Sequence, residues 1–192
     1  SIMPASGEQA QSVVVFLHGL GADGNDLISL GDALANVLPR TAFYSPDAPF
    51  PCDMAPFGRQ WFSLMDRDPA KVEAGIRVAA PMLDSFLDGL LDTHGLGADR
   101  LALVGFSQGT MMSLFVGPRR QEQIAGIVGF SGALVAPHAL SSEKRTSPPV
   151  ILVHGESDGV VPFEMMHLAS SGLTEAGIAV ESHGRPGLDH GI

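Results

Sequence analysis

The chain has 192 residues, 45% of them hydrophobic and 17% charged, a balance that describes a core-forming globular chain rather than a disordered one. Its formal charge of −10 argues against nucleic-acid partners and against anionic membrane surfaces. Cys52 is the single cysteine, which excludes an intrachain disulfide, and no stretch reaches the roughly 18 apolar residues of a membrane span.

The first twelve residues lack the basic start and apolar core of a secretory signal, so the chain is read as soluble and cytoplasmic. VVVFLHG (13–19) is apolar on both faces, which predicts a strand covered by helices on each side of a sheet. DLISLGDALANVL (26–38) aligns Leu27, Leu30, Leu34, Val37 and Leu38 on one helical stripe. A short strand begins at Thr41 and is ended by the prolines at 46 and 49. A long helix is predicted over 68–95, with Asp68 as N-cap, Pro69 in the first turn, Gly95 as the stop and a kink at Pro81. Strands are predicted at 100–106, 124–130, 148–155 and 178–184, with helices over 108–116 and 164–177. The pairs Arg119-Arg120 and Lys144-Arg145 read as solvated surface. This alternation predicts a single α/β domain over 1–192, built on a mostly parallel sheet with helices on both faces.

In such a sheet the chemistry gathers beyond the carboxyl ends of the strands. Four segments follow strands there: HGLGADG (18–24), GFSQG (105–109), GESDGVVP (155–162) and RPGLDHGI (185–192). GFSQG has the Gly-x-Ser-x-Gly pattern between a strand and a helix, the setting of a nucleophile elbow. Glycine suits both flanks because a tight turn brings backbones together where a Cβ would crowd them. A serine hydroxyl needs a base within reach and a carboxylate to hold that base. Asp158 and His190 follow Ser107 in the order Ser, acid, His, each in a loop after a strand.

The rivals fit less well. Glu156 lies nearer its strand, and Asp189 adjoins the histidine and would point away from it. His154 ends a strand, where a hydrogen-bonded structural role is expected, and His183 lies within one. His138 and His167 have no matching acid, and His18 comes too early in the chain. For the oxyanion, the N–H of Gln108, directly after the serine, is one donor and the N–H of Leu20 in His18-Gly19-Leu20-Gly21 the second. That loop lacks the spacing of a phosphate-binding loop.

FLHGLGADGNDL (16–27), RQWF (59–62), GFSQGTMMSL (105–114), GIVGFSG (126–132), VHGESDGVVP (153–162) and DHGI (189–192) together resemble the phospholipase/carboxylesterase family of α/β-hydrolases, which includes acyl-protein thioesterases. The resemblance implies an α/β-hydrolase fold without a large cap and hydrolysis of short- to medium-chain acyl esters. Thioesters and lysophospholipids are the alternative substrates, and no cofactor or metal is implied. It carries over Ser107, Asp158 and His190 as the triad and Leu20 and Gln108 as the oxyanion hole. A homodimer is compatible with it, though nothing in the residues themselves shows one. Family members run on past the histidine into a closing helix, whereas this sequence stops at Ile192, so the expectation is a hydrolase domain without that helix and a His190 in need of other support. In the proline-rich segment 45–62, Trp61 and Phe62 are candidates to wall the acyl site, a plain core role for Trp61 being the equal alternative, with Val161 beside Asp158 as a third contact. Met111 and Met112 are expected to fill the core. An acyl-binding protein that keeps the fold without catalysis is the reading from outside the enzymes.

Overall fold

Alternate side chains of β1 (Ser12–Leu17) feed two separate cores, which is why this strand is apolar on both faces. Val13, Val15 and Leu17 join the large core, whereas Val14 and Phe16 pack with Phe43 and Leu27 on the opposite side. The computed structural model describes all residues, 1–192. With β2 (Thr41–Tyr44), β5 (Leu101–Phe106), β6 (Gly126–Phe130), β7 (Val150–Gly155) and β8 (Val180–Arg185), β1 forms a six-stranded sheet in the order β2-β1-β5-β6-β7-β8. Every pairing in that sheet is parallel. A two-residue hairpin, β3 (Phe50–Pro51) with β4 (Arg59–Gln60), stands apart in the long connection after β2.

The strand order reverses at β1. The chain goes outward to β2, then crosses back through α2 (Pro69–His94) to place β5 on the other side of β1. Leu17 pairs with Gly105, so the loops leaving β1 and β5 start side by side. Ligands of open α/β sheets bind at such a reversal.

The helices follow local chemistry where local chemistry is strong. Asp68 caps α2 by accepting the N–H of Ala70 at 2.9 Å and of Lys71 at 3.3 Å, a contact worth about 1 kcal/mol. Pro69 opens the helix, Gly95 closes it with φ 63°, and the helix runs through Pro81. α3 (Gln108–Val116) is buried on every side, so it carries no polar stripe. α5 (Glu164–Glu175) covers β7 and β8 through Met166, Ala169 and Leu173. α1 (Asn25–Leu34) alone covers the second face, over β1 and β2. α4 (Pro137–Glu143), not anticipated from the sequence, is a short helix whose apolar residues Ala139 and Leu140 face inward.

Two expectations need correction. The stripe at 26–38 stops at Leu34, and Val37 is 74% exposed. Pro39 disfavours helical backbone at Leu38, and the chain must turn there into β2, with Thr41 N–H donating to Leu38 O. Arg119 and Arg120 are not solvated surface. Arg120 is 5% exposed and binds Asp84 and, at 2.6 Å, Asp88, both on α2. Arg119 lies 3.8 Å over the Phe115 ring and donates to Glu143 of α4 at 2.7 Å. Their apolar stems fill space while their heads are paired, which is how an arginine is buried.

Candidate active site

Ser107 stands between β5 and α3 with φ 53° and ψ −113°, a backbone conformation that non-glycine residues rarely adopt. It is held there by its N–H to Phe130 O and by Thr110, whose hydroxyl lies 2.8 Å from both Gly105 O and Phe130 O. The flanking glycines are required by contact. A Cβ on Gly105 would sit 2.4 Å from Thr110 N, and one on Gly109 would sit 1.8 Å from Leu17 O. The turn therefore lifts Ser107 out of the strand line, with its side chain free of any capping bond. The first N–H groups of α3 have no intrahelical partner, and the helix directs its positive end at the same spot.

Asp158 and His190, separated by 32 positions in sequence, meet at 2.7 Å between Oδ2 and Nδ1. The carboxylate accepts only, so Nδ1 carries the hydrogen and Nε2 keeps a lone pair able to take a proton. The Asp158 side chain is fully sealed, whereas that of His190 is 17% exposed. Burial by itself would raise the Asp158 pKa. Hydrogen bonds from His190 and from the N–H groups of Val161 and Val160, both 2.8 Å from Oδ1, outweigh it and hold the carboxyl below its ordinary value. Asp189 turns away from the ring, its Oδ1 accepting the N–H of Gly159 and of His190 itself. Glu156 is exposed. The histidine loop is tied down further by Ser157 N–H to Leu188 O and by Ser131 Oγ, which donates to Gly191 O at 3.2 Å. These contacts hold the His190 loop in place against Asp158.

The loop after β1 is braced by residues to which the sequence assigned no role. His18 is wholly buried, with Nδ1–H donating to Gly19 O at 2.7 Å and Nε2 accepting the Ala48 N–H at 3.0 Å. Burial lowers its pKa, so the ring is neutral and its tautomer is set by those two partners. Arg59 donates to Ala48 O and Pro49 O, while its own backbone pairs with Gly21 and Ala22. The N–H of Leu20 has no backbone acceptor. The only sequence signal for this brace was polar Arg59-Gln60 beside the sole tryptophan, which does not specify a partner.

Trp61 and Phe62 do not wall the site. Each is 2% exposed and belongs to the large core. Gln108 explains why: its Oε1 accepts the Trp61 N–H at 2.8 Å and its Nε2 donates to Phe62 O at 2.7 Å. The Trp61 indole N–H is also taken, by His18 O at 3.0 Å, and Phe62 packs on α2 at Gly75. Both rings are drawn inward, and Leu64 takes the place at the cavity.

That cavity has a volume of about 650 Å³ and is walled mainly by apolar side chains. Ser107, His190 and Leu20 border it together with Val161 and Arg67. Gln108 does not, since its side chain is buried beneath the turn. Met111 reaches the cavity and Met112 does not, so the two methionines divide between site and core. No three His, Cys, Asp or Glu side chains converge to hold a metal ion, and no helix is long and apolar enough to cross a membrane.

The chain is similar to known proteins. The family described as Phospholipase/Carboxylesterase matches residues 2–192. An acyl-protein thioesterase 1 from Yarrowia lipolytica is 32% identical, over 80% of this chain and 72% of that protein. A probable carboxylesterase from Oryza sativa subsp. japonica is 30% identical, over 99% of this chain and 75% of that protein. The crystal structure of esterase PE8 superposes with a TM-score of 0.95 at 43% identity, covering 100% of this chain and 90% of that one.

Proposed function

The chain belongs to the phospholipase/carboxylesterase family of α/β-hydrolases, and we propose that it is a serine carboxylesterase cleaving short- to medium-chain acyl esters through an acyl-enzyme. One observation carries the reading. A serine in a strained strand-to-helix turn and a histidine hydrogen-bonded to a sealed carboxylate border the same apolar cavity.

In this mechanism Ser107 Oγ attacks the acyl carbon as its proton passes to His190 Nε2. The carbonyl electron pair moves onto oxygen, which the N–H groups of Leu20 and Gln108 stabilise, helped by the positive end of α3. Collapse breaks the ester bond, and the leaving alkoxide takes the proton from His190. Water then attacks the acyl-Ser107 carbonyl and gives a proton to His190. The second collapse frees the carboxylic acid and returns the proton to Ser107. Asp158 holds His190 in the Nδ1–H tautomer throughout and stabilises its transient positive charge. No cofactor enters. The whole chain acts as one hydrolase domain, its partner being a small acyl ester.

A thioesterase reading rests on a separate observation, the relatives named acyl-protein thioesterase 1. Ester and thioester share the mechanism, so rates on matched oxygen-ester and thioester substrates separate the two. The test of the site itself is intact-mass spectrometry after a fluorophosphonate, followed by peptide mapping. A single adduct on Ser107, absent from Ser107→Ala along with ester turnover, is expected. Full turnover in that variant would sink the mechanism, whereas neither adduct nor turnover in the folded wild-type protein would leave the acyl-binding reading.

A further inference from the structure

His154 closes β7 with its side chain 1% exposed, and the mechanism above gives it no task. Its Nε2 lies 2.9 Å from Val161 O and 3.2 Å from Asp158 Oδ2. Val161 O can only accept, so Nε2 carries the hydrogen. That N–H donates to the backbone carbonyl, and its positive end lies close to the same carboxylate oxygen that receives His190 Nδ1–H at 2.7 Å.

We propose that His154 is a positioning residue for hydrolysis, acting through Asp158. The inference rests on the reading of Ser107, Asp158 and His190 given above. Asp158 sits in a short turn whose Oδ1 is clamped by Val160 and Val161. His154 binds the far side of that turn at Val161 O and steadies Oδ2 in the direction of His190. Its ring is fixed by β7 and by edge-on contact with Phe163, the centroids 6.0 Å apart. The carboxylate thus accepts three hydrogen bonds, one of them from His190 itself, with the His154 N–H as a fourth polar neighbour.

The nearby N–H has an electrostatic consequence. Its positive end, 3.2 Å from Asp158 Oδ2, offsets part of the carboxylate charge that faces His190. Asp189, beside His190, spends Oδ1 on two backbone N–H groups, and His167 of α5 faces the Phe163 ring.

The experiment is the pH dependence of kcat/KM for wild type, His154→Leu and His154→Gln. His154→Leu removes the donor, which leaves Asp158 more able to retain the His190 proton. The acidic limb is expected to move up by about half a pH unit, as befits an N–H dipole near the carboxylate, with kcat lowered about tenfold. His154→Gln, whose amide N–H can reach the same oxygens, is expected to return the limb toward the wild-type position. A role confined to packing would lower stability and rate without moving the limb, and that outcome overturns the proposal. Should His154→Leu fail to fold, 15N-histidine spectra of the wild-type protein decide. The Nε2–H tautomer at His154 supports the proposal, and the Nδ1–H tautomer overturns it. Loss of turnover in Ser107→Ala with an unmoved limb in His154→Leu would refute this inference alone, whereas retained turnover in Ser107→Ala would refute the reading beneath it.

Discussion

Gln108 does two jobs on different atoms, and Gln108→Leu separates them. The backbone N–H at 108 is assigned to the oxyanion, while the fully buried amide bonds Trp61 N–H and Phe62 O. Leucine has a similar volume, so the cavity contribution is small. What remains is two buried backbone groups without partners, each costing about 1–3 kcal/mol, offset in part because an amide no longer has to be desolvated. We expect a net loss of about 3 kcal/mol, a large share of the 5–15 kcal/mol typical of a domain but not enough to unfold it. Urea unfolding followed by fluorescence reads this directly, because Trp61 is the only tryptophan and is itself one end of the network. Turnover should fall far less than in Ser107→Ala, since the backbone donor remains. A midpoint unchanged to within about 0.5 kcal/mol would show that Gln108 does not hold the 61–62 segment, and the account of why Trp61 leaves the cavity would go with it.

Other expectations follow from the same geometry. Gly109→Ala, with its Cβ 1.8 Å from Leu17 O, should cost about 3 kcal/mol or more and abolish fluorophosphonate labelling, whereas Gly89→Ala, in open space on α2, should stabilise by about 0.5–1 kcal/mol. Thermal melts of the pair check both signs. The lowered pKa of His18 means that its contribution is fully present above about pH 6.5 and is lost as pH falls toward the folded value, at up to about 1.4 kcal/mol per pH unit. Asp158, also lowered, contributes above the ordinary carboxylate range and is silent between pH 7.5 and 5.5. Urea midpoints at those two pH values should therefore fall together in wild type and less in His18→Gln; equal drops would refute the assignment to His18. Met165→Trp, on the cavity wall, should reduce turnover of longer acyl esters at least tenfold relative to acetate, measured with a chain-length series.

Much of the fold was legible because its causes are local. Asp68, Pro69 and Gly95 delimit a helix through their own side-chain and backbone chemistry, and the structure has them in those roles. GFSQG could be read for the same reason, since a serine between two glycines at a strand-to-helix junction is strained by its immediate neighbours. Asp158 and His190 could be nominated from their order and their loops, although nothing local requires them to touch.

What lay beyond the sequence depends on contacts between distant positions. The reversal of strand order at β1 sets the HGLG loop beside Ser107, and no spacing within either motif encodes that. Trp61 and Phe62 look like a site wall until Gln108, more than 40 positions away, takes their backbone. Arg120 reads as surface until the two aspartates of α2 arrive beside it, and His154 is one histidine among seven until Asp158 and Val161 fold back onto it. Short-range sterics and capping therefore determined the elements and the nucleophile's turn. The direction in which each half-apolar or polar side chain points was decided by burial, because a buried N–H, carbonyl or charge must find its partner wherever the fold has brought one.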